Sequence, residues 1–388
     1  MLCETTIPPP QSNSTLAASH ALVVLPAHVN NERTDSRHSL LKLYLHIGTE
    51  KTGTTSLQKF MAANRQRLES CGVYYPCSPG VDNHIALTAV ARRNRSELWD
   101  QLRINDREQW EAFRRDFRQK FSTELAEHRT QTVVMSGEHC SSRLRSDEEV
   151  HRLLEFLDRF FTEITVVAYL RRQDDFLTST HSTDVKNGGT QPLQIPDAET
   201  IAFRYDYWEL LSRWARVFGR ANIVVRKYGK TFLSNGNLVD DFLGVAGSAP
   251  SPDFERPEAL NESLDAECLE FLRLMNVHLQ PSEQRRGIVS TLQELSKGPL
   301  IDLPAAERAE FMGQLSESNR RVALEYFPKE VVPVGDPLFG ERENGRQRIP
   351  PPQMSAERAI AIAAEIYAQL RTGGAKLHRG HRPKVAAS

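Results

Sequence analysis

The chain has 388 residues, a formal net charge of −1 and 26% charged residues. That length suits one large or two ordinary domains. The balanced charge gives no reason to expect a nucleic-acid partner, and no apolar run reaches the length of a membrane span. Five cysteines, Cys3, Cys71, Cys77, Cys140 and Cys268, are scattered and form no C-x-x-C. They argue against a disulfide framework or a zinc site and fit a cytoplasmic protein. Cys140 reads as a buried, inert thiol.

Residues 1 to about 40 are rich in Pro, Ser, Thr and Asn without periodicity and read as a disordered N-terminal extension. Residues 21–29 are apolar but short, broken by Pro26 and without a basic leader, so a signal peptide is not expected. Residues 42–47 then read as a strand. A turn follows with Gly48, Lys51, Gly53 and four Thr, and residues 57–68 have helical spacing up to Gly72. A strand, a Gly/Thr turn and a helix form a phosphate cradle, because turn N–H groups and a helix N-terminus converge on an anion. A nucleotide-triphosphate loop reads G-x-x-x-x-G-K-[ST]. Gly48 and Gly53 keep that spacing, but Thr54 stands where its Lys would be, and Lys51 lies inside the loop.

Residues 132–135 form the second expected strand, ending in Ser136-Gly137-Glu138-His139. Residues 150–161 have helical spacing before a third strand at 164–170, which ends in Arg171-Arg172. Residues 210–218 precede a fourth strand at 222–225, then Lys227 and Tyr228. Strands alternating with helices predict a parallel sheet covered on both faces, with ligands beyond the carboxyl ends of the strands. From about Gly244 the chain turns helical and irregular: a Pro-rich connection, helices at 262–279 and 305–324, and a break at Pro350-Pro351-Pro352. An Ala-rich helix follows over 355–371, capped by Ser355 and stopped by Gly373-Gly374, before a basic tail.

The run Ile47-Gly48-Thr49-Glu50-Lys51-Thr52-Gly53-Thr54-Thr55-Ser56-Leu57-Gln58 resembles the 5′-phosphosulfate loop of the sulfotransferases. Those enzymes take a sulfuryl group from 3′-phosphoadenosine-5′-phosphosulfate (PAPS). An Arg at a strand end with a Ser eight positions later resembles the family's 3′-phosphate motif, and Arg171 and Ser179 fit it. Weaker likenesses lie at Trp214, Phe218-Gly219, residues 225–228, Asn261 to Leu264, residues 319–327 and Asp336 to Phe339, closest to bacterial members that modify polysaccharides. The resemblance covers about 41–339. It implies a P-loop-like, three-layer α/β fold with a central parallel sheet and a mostly helical C-terminal part. The domain would span 41–340, with a nucleotide-binding core at 41–245 and the helical part at 246–340, leaving 341–388 as linker, helix and tail.

The same resemblance implies PAPS as co-substrate, no metal, and a hydroxyl-bearing acceptor, a carbohydrate by analogy. Lys51 would contact the donor near its leaving oxygen, while Thr52, Gly53, Thr54, Thr55 and Ser56 hold the 5′-phosphate. Arg171 and Ser179 would clamp the 3′-phosphate, with Tyr228 lining the nucleotide pocket. Three residues are open as the base: Glu138, which is preferred, His139 beside it, and His84 in a polar loop. The loops at 72–110 and 184–201 would shape the acceptor pocket. Arg285-Arg286 reads as a surface pair. The alternatives are a P-loop kinase or NTPase, in which Thr55 would meet Mg²⁺, and a non-catalytic nucleotide-binding protein of the same fold.

Overall fold

The strands are β1 (Lys42–His46), β2 (Val73–Tyr74), β3 (Thr132–Ser136), β4 (Glu163–Arg171) and β5 (Ile223–Tyr228), all parallel, in the order β2-β3-β1-β4-β5. The structure is a computed structural model that describes residues 41–256, 263–279, 283–330, 334–342 and 345–377. The expected N-terminal extension, Asn261, Glu262 and the tail beyond 377 lie outside them.

Alternation along the strands divides the core. Leu43 and Leu45 of β1, Val133 and Met135 of β3, and Val166, Ala168 and Leu170 of β4 face one side. There they meet α3 (Ile85–Ala91), α5 (Arg107–Glu127), α7 (Asp147–Leu157) and α10 (Tyr207–Phe218), through Leu87, Phe117, Val150 and Trp214. Val134, Val167 and Tyr169 face the other side, against α1 (Thr54–Ala63) and α11 (Leu238–Val245), through Leu57, Phe60, Met61 and Phe242. With both faces covered, parallel strands must read as near-continuous apolar runs. Each fully buried Leu or Phe contributes about 1.5–3 kcal/mol.

The helix expected over 57–68 is two helices, α1 and α2 (Arg65–Ser70). They part at buried Asn64, whose side chain accepts from Glu255 N (2.8 Å) and donates to Glu255 O (2.8 Å) and Phe60 O (2.9 Å). The segment read as an acceptor loop over 72–110 holds α3, α4 (Glu97–Gln101) and the start of α5. Helix α5 is capped by Asp106, which accepts from Gln109 N at 2.8 Å. The β3 end leads into α6 (His139–Arg143), and β4 into α8 (Gln173–Lys186).

The single turn α9 (Ala198–Thr200) precedes α10, and the helical part begins after α11. It contains α12 (Ala266–Met275), α13 (Glu283–Leu295), α14 (Ala305–Tyr326) and α15 (Ala356–Leu377). Strands β6 (Leu300–Ile301) and β7 (Arg348–Ile349) pair in parallel. Their core unites Leu269, Leu292, Phe311 and Ile362 with Phe176 and Leu177 of α8. The stretch expected as linker, helix and tail over 341–388 joins the helical part, since β7 pairs with β6 and Ile362 and Ile366 are buried with α12. Helix α15 is capped by Ser355 (Arg358 N to Oγ, 3.1 Å) but runs through Gly373-Gly374. Glycine costs a helix only about 1 kcal/mol against Ala, so it does not force a stop.

Candidate functional site

Beta strand β1 is central, with β3 and β4 on either side, so its outgoing loop sits at the switch point of the sheet. Thr49 ties the loop down: its N–H and its Oγ1 both donate to Tyr169 O at 3.0 Å. Thr52 Oγ1 donates to Thr49 O at 2.6 Å. That hydroxyl is spent inside the loop, on the carbonyl of Thr49. Lys51 (φ 64°) and Gly53 (φ 78°) both adopt the left-handed conformation. A Cβ on Gly53 would lie 2.9 Å from Leu238 Cδ2. Gly53→Ala is therefore expected to cost about 1–3 kcal/mol, read as a lower urea midpoint, and to open the cradle. Thr55 and Ser56 are exposed on the first turn of α1, which carries no acidic residue. The first N–H groups of that helix have no helical partner and favour an anion.

Lys51 is half-buried, and its Nζ donates to Thr183 Oγ1 on α8 at 2.5 Å. Burial and the nearby Arg171 lower its pKa, against the opposing carboxylates of Glu138, Glu50 and Asp184. Glu50 precedes it in the loop. Burial alone would raise the Glu50 carboxyl, but Arg204 (2.6 Å) and Arg143 (3.4 Å) hold it below the usual range. Thr54, in the place of the nucleotide-triphosphate lysine, is buried and donates its hydroxyl to Glu138 Oε2. The carboxylate thus sits over the cradle.

Neighbouring His139 has a buried Nδ1 with no partner among the described residues. His84 is not a solvated loop residue. It is fully buried and stacked on Tyr75 (4.3 Å), its Nδ1 accepts from Ser136 N (3.1 Å), and its Nε2 meets Pro76 O (3.0 Å). Both ring nitrogens are used, Nε2 carries the proton, and burial pushes the ring down to about 3. That geometry corrects the expectation of His84 as a base. Sequence reading missed His46, also buried, whose Nδ1 lies 2.8 Å from Ser136 Oγ and whose pKa falls to about 3 by burial. The Cys140 thiol is buried and pushed up to about 12, as an inert thiol should be.

Arg171 ends β4 and pairs in register with Tyr228, whose ring lies 5.8 Å from its guanidinium. Its Nη1 donates to Lys51 O at 2.8 Å. Arg171 therefore holds the loop. Ser179 lies in the second turn of α8, one turn before Thr183 and one turn after Asp175. Asp175 draws two arginines that sequence reading missed. Arg348 lies 3.0 Å away, and Arg342 bonds it while reaching Asp302 at 2.5 Å. Burial lowers the Arg348 pKa, and Arg342 and Arg171 lower it further. Three guanidinium groups thus gather around Asp175, with Asp174 and Asp302 also facing Arg342. Both missed residues lie beyond 340, in the stretch read as linker.

Lys227 is buried against Phe232 and Phe327 (4.8 Å each) and pairs with Glu330, so it anchors β5 to the helical part. Arg285 is not a surface residue: it is buried and donates to Val185 O at 3.1 Å near the end of α8. Among the described residues, no three His, Cys, Asp or Glu side chains gather as metal ligands, and no helix is long and apolar enough to cross a membrane.

No family model matches the chain. An uncharacterised protein of Archaeoglobus fulgidus is 33% identical over 189 residues, 46% of this chain and 50% of that protein. The chain thus spans about half the length of the curated relative it matches. A crystal structure of a sulfotransferase from Alicyclobacillus acidocaldarius aligns at 16% identity over 63% of this chain and 98% of that one. Its TM-score is 0.35, a likeness too distant to bear on the chemistry. The described residues themselves show an α/β fold with a loop-helix cradle at the switch point of a parallel sheet.

Proposed function

We propose that the chain is a sulfotransferase that moves a sulfuryl group from PAPS to a hydroxyl of a carbohydrate acceptor. One observation carries this reading. Lys51, Glu138 and Arg171 come from the ends of three adjacent strands, while Thr54 takes the place of the nucleotide-triphosphate lysine and holds Glu138. The cradle thus sets a cation, Lys51, near a carboxylate, Glu138, which suits transfer to an acceptor hydroxyl.

PAPS supplies the activated sulfuryl group. The first turn of α1, with Thr55 and Ser56, holds the 5′-phosphate, and Lys51 neutralises the charge that grows on its leaving oxygen. Arg171 and Ser179 grip the 3′-phosphate, and Arg342 and Arg348 add positive charge beside them. Glu138 accepts the proton of the acceptor hydroxyl as its oxygen bonds to sulfur and the sulfur–oxygen bond to the phosphate breaks. Thr54 orients that carboxylate through Oε2. His139 is the reserve base. A cytoplasmic setting suits the free thiols of Cys71, Cys77, Cys140 and Cys268.

Calorimetric titration with 3′-phosphoadenosine-5′-phosphate, ADP, ATP and AMP tests the reading. The 3′-phosphorylated nucleotide is expected to bind at least about tenfold more tightly than ADP, and Arg171→Ala and Arg348→Ala should erase that preference. Glu138→Gln should keep nucleotide binding and lose turnover. A preference for ATP with Mg²⁺ would replace the sulfotransferase with a kinase or NTPase.

A further inference from the structure

Helix α8 carries its polar side chains in an order. Asp175, with its arginines, comes first, then Ser179, and then Thr183, which accepts from Lys51 Nζ at 2.5 Å. Lys186 stands next on the same stripe, three residues and about 4.5 Å beyond Thr183 along the axis. On the sulfotransferase reading this order runs from the 3′-phosphate toward the leaving oxygen. The last turn of α8 then lies past the donor, on the side from which an acceptor arrives.

Two side chains of that turn are unspent. Of the lysines whose side chains are described, Lys51, Lys186 and Lys227 are withdrawn from solvent. Lys51 bonds Thr183 and Lys227 bonds Glu330, but Lys186 forms no hydrogen bond or ion pair with any described residue. Burial lowers its pKa, and the neighbouring Lys51 lowers it further. A lysine that only complemented the helix C-terminus would have no reason to withdraw. Asp184 stands exposed at the rim, and its carboxylate bonds no described residue either. Enough protein surrounds it to raise its pKa, against the pull of Arg204 and Lys51.

Asp184 and Lys186 cannot satisfy each other. Two residues apart on a helix, they leave it about 160° apart, one on either side of Thr183. What they share is Lys51, on which both act. The π-helical turn Ile201–Tyr205 bounds this side with Arg204, which acts on Asp184 and donates from Nη2 to Glu50 Oε2 at 2.6 Å. A ligand seated over Thr183 and Lys51 therefore meets one free carboxylate and one free ammonium.

Those opposite signs select the ligand. An anion on Lys186 would face the carboxylates of Asp184, Glu50 and Glu138 that surround Lys51. A cation on Asp184 would face Lys51 and Lys186. Two neighbouring hydroxyls meet neither penalty: one donates to the carboxylate, the other accepts from the ammonium, and both bonds are charge-assisted. We propose that Asp184 and Lys186 read two neighbouring hydroxyls of a neutral sugar acceptor and so bring a further hydroxyl of that sugar between Lys51 and Glu138. This rests on the sulfotransferase reading and gives its acceptor a chemical class.

The test is transfer of radiolabelled sulfuryl from PAPS by the full-length chain. The acceptors are neutral oligosaccharides of glucose, galactose and mannose, their deoxy analogues lacking one hydroxyl beside the sulfated position, and uronate oligosaccharides. Asp184→Asn and Lys186→Gln are compared with the wild-type chain. A neutral oligosaccharide should be the best acceptor. Each variant should raise its KM at least about tenfold and leave kcat at saturating acceptor within about threefold. A sugar lacking the hydroxyl read by one residue should lose as much in the wild-type chain, and no more in that residue's variant. Titration with 3′-phosphoadenosine-5′-phosphate should be unchanged in both variants. Wild-type KM in both variants, a fall in kcat with KM unchanged, or a uronate preferred over every neutral sugar would each overturn the proposal. So would failure to sulfate any of these sugars by a chain that binds the 3′-phosphorylated nucleotide, an outcome that leaves the sulfotransferase reading standing. A wild-type chain that ignores that nucleotide refutes the reading itself, and the acceptor site with it.

Discussion

Lys51→Ala is expected to slow sulfuryl transfer about a hundredfold to a thousandfold while leaving the protein folded and able to bind the nucleotide product. The lysine is a poor candidate for a structural residue. Its left-handed backbone is fixed by its neighbours, with Arg171 on its carbonyl and Glu50 held by Arg204 and Arg143. Its ammonium spends one hydrogen bond on Thr183 and is half-buried, where a positive charge acts more strongly than in water. Removing the side chain therefore takes away the cation proposed to act on the leaving oxygen, and little packing. Lys51→Arg should not restore the rate, because a planar fork cannot replace a compact ammonium in the same space. Single-turnover assays at saturating donor measure the effect. A Lys51→Ala enzyme with the wild-type rate would end the proposed site.

The second large effect is on stability. His46 and His84 are buried on opposite sides of Ser136, and burial holds both rings near 3. In the unfolded chain they bind protons below about pH 6.5. Between about pH 6 and 3 the unfolded chain thus holds about two more protons than the folded one. Stability is full above the unfolded pKa and falls as the pH drops, by about 2.7 kcal/mol per pH unit for two protons. Over the whole window this is comparable with the entire stability of an ordinary domain. Urea midpoints should fall steeply between pH 6 and 4. Replacing His84 by Gln, which can keep one donor and one acceptor, should flatten the slope by about half. A midpoint that does not move over that range would contradict the buried, neutral state of both rings. His181, pushed down to about 4 by burial, moves in the same direction.

The strands were legible because a parallel sheet covered on both faces writes itself as apolar runs. Four of the five strands of the main sheet were predicted within a few residues; the two-residue strands β2, β6 and β7 were missed. The cradle was legible because its glycines and threonines are dictated by backbone geometry. Side-chain direction was not. Thr52, Thr54 and Thr55 look alike in sequence, yet one is spent on Thr49, one on Glu138, and one faces solvent. His84 looked like a loop residue because nothing local announces that Tyr75, Pro76 and Ser136 close around it. Arg342 and Arg348 meet Asp175 across more than 160 residues, and no periodicity carries such a contact.

Helix α8 leaves β4 after a single residue, Arg172, and carries Asp175, Ser179 and Thr183 toward the cradle. Yet Phe176, Leu177 and Val185 on its other side are buried with the helices that follow residue 263. The polar face works for one half of the chain and the apolar face is sheltered by the other. The part of the chain up to 245 consequently cannot be severed from the helices that follow. A chain cut at 245 would keep every strand of the main sheet and every expected donor contact up to Tyr228, but would bare the oily back of the helix that bears Ser179. The sheet and the helical part are here folded as one, joined through two sides of a single helix.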